Sequence, residues 1–178
     1  ARVILWIKMI NILLNRILVM KIFVKEVKLS EAKYPILLIA LTEEVIEKDS
    51  SLKLTGAMKK ITKKVIEMGD FNGKRGDFTL LYTKDKTPSD RIMLLGLGKR
   101  AELNEENLRV SLGEVSRKIR DLGVETVGVS LHHLAQGKLT EADVAEVATE
   151  AFILGSFNDP YHKTKDLDKF KSIKELHL

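Results

Sequence analysis

Residues 35–41 read PILLIAL and lie between Tyr34 and the polar run Thr42-Glu43-Glu44. An apolar run of this length with no polar alternation is what a strand buried on both faces requires. Such strands belong to parallel or mixed sheets covered by helices on both sides. Upstream, Lys21–Val27 (KIFVKEV) alternates charged and apolar residues, which predicts a half-exposed strand with Ile22, Val24 and Val27 toward a core. Downstream, Leu54, Met58, Ile61, Val65 and Met68 recur at helical spacing with lysines between them, and Gly69 follows as a stop.

The alternation of strand and helix then continues. Phe78–Tyr82 and Arg91–Leu97 (RIMLLGL) read as strands joined by the turn-rich stretch Lys84–Asp90. Asn104 is placed to cap a helix whose core face is Leu108, Leu112, Val115, Ile119 and Leu122, closed by Gly123. Val124–Leu131 predicts a further strand. Thr140, with Asp143 three residues on, opens a last helix through Val144, Val147, Ala148, Ala151 and Leu154, and the periodicity ends after Gly155. Strands and helices alternating in this way predict an α/β fold, a three-layer α/β/α domain around a mostly parallel mixed sheet.

The chain has 178 residues, 44% hydrophobic and 31% charged, with 11 Gly, 3 Pro and no Cys. Collagen, low-complexity disorder and disulfide scaffolds are excluded on that composition, and the length suits one domain. Without Cys there is no thiolate metal site or redox pair, which fits a cytoplasmic protein. Of 30 basic residues, Arg2, Lys8 and Arg16 fall within residues 1–19, leaving 27 against 25 acidic ones in the body. A body at +2 with interleaved signs lacks the one-sided basic face that phosphate backbones need.

Residues 1–19 (ARVILWIKMINILLNRILV) stand apart. Lys8, Asn11, Asn15 and Arg16 interrupt the apolar run below the ~18 residues of a membrane span, and no A-x-A cleavage site follows. The segment reads either as a basic amphipathic extension or as translated sequence upstream of a start at Met20, and the second reading is preferred. The domain proper is expected over residues 20–165, with 166–178 opening a linker.

Candidate chemistry is sparse. Gly96-Leu97-Gly98-Lys99-Arg100 closes a strand just ahead of a helix, where backbone N–H groups could cradle a phosphate. It lacks the third glycine of a dinucleotide fingerprint and P-loop spacing, so a tight strand-to-helix turn is preferred. His132-His133 would point to opposite faces of a strand, with no carboxylate within a turn, and His162 lies in a polar tail; none reads as a metal ligand. Asp70, Asp77 and Asp85 read as turn residues, and Ser111, Ser116 and Ser130 lack a G-x-S-x-G context. Lys59, Lys60, Lys63 and Lys64 form two i, i+4 pairs, a solvated helix face before a nucleic-acid surface.

Three segments carry a family resemblance. Residues 69–83, GDFNGKRGDFTLLYT, follow the pattern G-x-F-x-G-K-x-G-x-x-x-x-L; residues 91–100, RIMLLGLGKR, form a strand ending in GLGK ahead of LNEENLR; residues 150–165, EAFILGSFNDPYHKTK, join a closing helix to an aromatic and basic segment. Their order and spacing over Met20 to about Lys165 resemble the N-terminal domain of the leucyl aminopeptidase (cytosol aminopeptidase) family. That resemblance implies a fold with macro-domain-like topology, placed ahead of a larger catalytic domain. It implies an activity of the whole protein that removes N-terminal residues, preferably leucine, from peptides. Two divalent metals, zinc or manganese, held by Lys, Asp and Glu of the catalytic domain, would clamp and activate a water. This chain contains no motif such as NTDAEGR that carries those ligands, so no catalytic, metal or cofactor residue transfers to it. The implied role is structural: packing on the catalytic domain and on neighbouring subunits of a hexamer. The alternative is a free-standing macro-like module binding a nucleotide such as ADP-ribose, or a nucleic acid.

Overall fold

The computed structural model describes residues 20–48, 53–54, 56–157 and 171–178. Six strands make one sheet: β1 (Lys21–Phe23), β2 (Ile36–Leu41), β3 (Phe78–Tyr82), β4 (Arg91–Gly96), β5 (Thr126–Val129) and β6 (Glu175–His177), in the spatial order β1-β6-β5-β2-β4-β3. All neighbours are parallel except β3 and β4, which form an antiparallel pair with Leu80 opposite Met93. The described helices are α1 (Glu43–Glu47), α2 (Gly56–Glu67), α3 (Glu105–Asp121), α4 (Leu131–Leu134) and α5 (Glu141–Ser156).

The PILLIAL segment is the centre of this arrangement. Every residue of β2 is buried, and successive side chains feed two separate cores. Ile36, Leu38 and Ala40 join Leu108, Leu112, Val115 and Ile119 of α3 and Val144, Val147, Ala151 and Phe152 of α5 on one face. Leu37, Ile39 and Leu41 join Met58 of α2, Val45 of α1 and Phe71 on the other. Alternation along the strand therefore builds the three layers expected of the fold class.

Local signals place the helix starts. The Asn104 side-chain oxygen accepts the Asn107 N–H at 2.9 Å. Thr140 and Asp143 form a complete capping box, the Asp143 N–H donating to Thr140 Oγ1 at 3.2 Å and the Thr140 N–H to Asp143 Oδ2 at 2.8 Å. Several predicted core positions are corrected at element ends. Met68 is 64% exposed because α2 stops at Glu67 and the chain turns back so that Phe71 takes the buried place. Leu122 and Leu154 are also exposed, and their places in the core fall to Val124 and Phe152. The first strand stops at Phe23, since its partner β6 has three residues, and Val24 and Val27 face solvent. The strand expected over residues 124–131 spans Thr126–Val129 only, because the chain coils into α4 from Leu131.

The largest correction concerns the C-terminal segment. Residues 166–178 were expected to open a linker, whereas Glu175–His177 form β6, inserted between β1 and β5. Ile173, Leu176 and Leu178 are buried, and the His177 ring stacks on Phe23 at 4.7 Å and tilts against Tyr34 at 5.1 Å. Tyr34 is itself drawn into the core, and burial pushes its phenol above the usual range. Leu176 and Leu178 alternate with Glu175 and His177, a strand pattern too short to stand out in the sequence. Residues 1–19, with the proposed start at Met20 as their boundary, and His162 lie outside the described residues.

No helix among the described residues is long and apolar enough to cross a membrane. Leu112, fully buried between α3, α5 and the sheet, is expected to be among the most sensitive positions. Leu112→Ala should lower unfolding free energy by about 2–5 kcal/mol in urea titrations. A loss under about 1 kcal/mol would contradict the packing described, since that is within the range of surface substitutions.

Candidate functional site

In an open parallel sheet, ligands bind beyond the carboxyl ends of the strands where successive connections leave in opposite directions. Here that edge is formed by the ends of β4, β2 and β5, continuing into Gly96–Arg100, Thr42–Glu47 and Ser130–Gly137. Two cavities open there and share Arg100 and Gly137. The larger, of about 700 Å³, is bounded by Glu44, Lys48, Glu102 and Lys138. The smaller, of about 270 Å³, is bounded by Lys53, His132, His133 and Gln136.

The floor is a backbone clasp. The Gly98 N–H donates to the Gly73 carbonyl at 2.8 Å, the Gly96 N–H to the Asp77 carbonyl at 2.7 Å, and the Gly76 N–H to the Gly96 carbonyl at 3.1 Å. A methyl group on Gly96 would collide with the Lys74 carbonyl, so the two loops touch only because residue 96 has no side chain. Gly98 holds φ +73°, the left-handed region that glycine enters without penalty. Phe71, with no exposed surface, anchors the other loop into the core. The two glycine-rich stretches singled out in the sequence therefore hold each other.

A further donor of the GLGKR turn is filled from within. The Arg100 N–H donates to both carboxylate oxygens of Glu44, at 3.0 and 3.1 Å. Partial burial pushes the Glu44 carboxyl upward, but hydrogen bonds from its own and the Arg100 backbone N–H, with the Arg100 charge, outweigh it and leave the pKa lowered. The turn thus offers a nest of the kind that holds anions, occupied by a carboxylate of the same chain.

The other walls are tied together by side chains. Thr42 Oγ1 donates to Gln136 Oε1 at 3.0 Å, and Gln136 Nε2 donates to the His133 carbonyl at 2.7 Å. The histidine pair lies on the helical turn α4 rather than on a strand, which corrects the expected opposite-face geometry. His133 is buried, its Nδ1 2.7 Å from Ser130 Oγ. His132 is exposed, its Nε2 2.8 Å from Lys53 Nζ and its Nδ1 3.6 Å from Glu141 Oε1. The Lys53 contact of His132 crosses 79 residues and could not be found from spacing. Lys53 and Glu44 were likewise missed, since neither sits in a motif.

The other candidates stay apart from this crevice. The Asp70 carbonyl accepts from Thr79, the Asp77 carboxylate from the Asn72 N–H, and Asp85 turns the chain at φ +66°. Ser111 and Ser116 donate to carbonyls of their own helix. The lysines of α2 lie on its outer face, where Lys63 pairs with Glu67 at 4.0 Å. Among the described residues no group of three or more His, Asp or Glu side chains is placed to hold a metal ion.

Fold and edge together define a three-layer α/β domain with a closed glycine turn and a cationic crevice. Residues 38–166 match the family model described as the cytosol aminopeptidase family, N-terminal domain. The chain belongs to that family. A probable cytosol aminopeptidase of Geotalea uraniireducens is 36% identical over 100 residues, which is 56% of this chain and 20% of that protein. The chain thus spans about a fifth of that relative's length. A tomato leucine aminopeptidase mutant superposes with a TM-score of 0.63 at 18% identity, covering 89% of this chain and 32% of that one. The macrodomain of Mycobacterium tuberculosis DarG superposes with a TM-score of 0.56 at 15% identity, covering 89% and 97%, a likeness of fold.

A carboxyl whose pKa is depressed on folding stabilises the native state above its ordinary value of 4.5, and that contribution fades as pH falls through the lower folded value. Glu44→Gln should therefore be less stable than the parent at pH 7 and approach it near pH 3, read by urea unfolding at each pH. An equal deficit at both pH values would contradict the charged contact.

Proposed function

We propose that this chain is the non-catalytic N-terminal domain of a two-metal peptidase that removes N-terminal residues, leucine above all, from peptides in the cytoplasm. Its role in that reading is structural: it packs against the catalytic domain and adds contacts between subunits of a hexamer. The observation that carries the reading is the family match over residues 38–166, an N-terminal domain that makes up only a fraction of its relatives' length.

The site geometry supports it. The glycine-rich segments that mark the family are engaged with each other, and the GLGKR turn is closed by Glu44. In this reading the metals of the reaction belong to the remainder of the protein, and no chemical step is placed on this chain. A nucleotide-binding module is less well supported, since among the described residues neither cavity is walled by Phe, Tyr or Trp to stack a base.

The purified chain, supplied with manganese, is expected to release no p-nitroaniline from leucine p-nitroanilide. In the longer protein, deleting residues 20–178 is expected to reduce the hexamer to smaller species in native mass spectrometry. Hydrolysis by the chain alone that is abolished by a chelator, or a hexamer indifferent to the deletion, would overturn the proposal.

A further inference from the structure

The smaller lobe of the crevice has a lining that the structural role does not use. Lys53, Arg100, His132 and Gln136 bound about 270 Å³, close to the ~300 Å³ at which small-ligand pockets begin. No carboxylate and no Phe, Tyr or Trp lines it among the described residues.

Its polar groups are held in place. Lys53 Nζ and His132 Nε2 are 2.8 Å apart, and an ammonium can only donate, so the imidazole accepts and its Nδ1 carries the proton toward Glu141. That bond fixes the ammonium at the wall and leaves two of its three N–H groups for another acceptor. Gln136 commits its oxygen to Thr42 and one amide hydrogen to the His133 carbonyl, which leaves its second amide hydrogen. Arg100 gives its backbone N–H to Glu44, while the residue lines both lobes. Lys53 moreover holds φ +49°, a left-handed backbone that non-glycine residues rarely adopt and that is retained where surrounding contacts over-determine it. A strained lysine fixed by a histidine, in a cavity with a second cation, at the carboxyl edge of a parallel sheet, is an arrangement suited to a compact dianion.

We propose that the lobe between Lys53, Arg100, His132 and Gln136 binds a phosphate group, free or as the monoester of a small molecule. Lys53 and Arg100 supply the two balancing charges, and Gln136 adds a neutral donor. The GLGKR nest plays no part, because Glu44 fills it.

The test is a titration of the isotopically labelled chain with inorganic phosphate at constant ionic strength, followed by amide NMR. Saturable shifts are expected at Lys53, Arg100 and Gly137. Lys53→Met and Arg100→Gln, both at exposed positions, should each weaken binding by about tenfold or more while the amide spectrum of the rest of the fold is retained. Lys64→Gln, on the outer face of α2, should leave it unchanged. Shifts that rise linearly without saturating, or that weaken equally in Lys64→Gln, would reduce the effect to general surface charge and overturn the proposal.

Discussion

The close approach of two backbones at Gly96 is the constraint on which the carboxyl edge of this domain depends. Peptide groups of β4 and of the loop before β3 meet where a single methyl group would collide, and three hydrogen bonds close the gap. The contact fixes where β3 joins the sheet as its one antiparallel strand and seats Phe71 in the core. It also fixes the direction in which the chain leaves β4 toward Arg100. Removing the glycine would force apart polar groups that have no other partners, which is far costlier than losing a side-chain contact.

From that clasp the crevice follows. With the turn held from below by Gly73, the Arg100 N–H points at α1, and Glu44 meets it with both oxygens. Thr42, at the end of the fully buried β2, reaches Gln136 across the same edge and joins the loop after α4 to the central strand. The edge is therefore a set of interlocked connections whose backbone donors are largely satisfied internally. Its remaining binding capacity lies in the side chains of Lys53, Arg100 and Gln136.

Much of this was legible in the sequence. PILLIAL read as a doubly buried strand, which Ile36–Leu41 form, and Asn104 and Thr140 marked helix starts that their hydrogen bonds confirm. The stripe Leu108, Leu112, Val115 and Ile119 is fully buried as its spacing requires. Errors gathered at element ends, where Met68, Leu122 and Leu154 kept the helical period but the chain had already turned or the core had been filled by a neighbour. The strand β6 was missed because three residues carry too little periodicity to outweigh a polar approach; its place between β1 and β5 comes from pairing, a tertiary fact. The crevice was half visible: GLGKR announced a turn, but Glu44 lies 56 residues from the amide it fills and Lys53 lies 79 from His132, distances over which a single sequence carries no signal.

The backbones of the family's two glycine-rich motifs hold each other. Native-state hydrogen exchange at the Gly96 and Gly98 amides tests this most directly, since each donates to a carbonyl of the opposing loop. Both amides are expected to exchange only through global unfolding, with protection equal to that of the central residues of β2. Rapid exchange at either, while β2 stays protected, would show the clasp to be open in solution and would contradict the account.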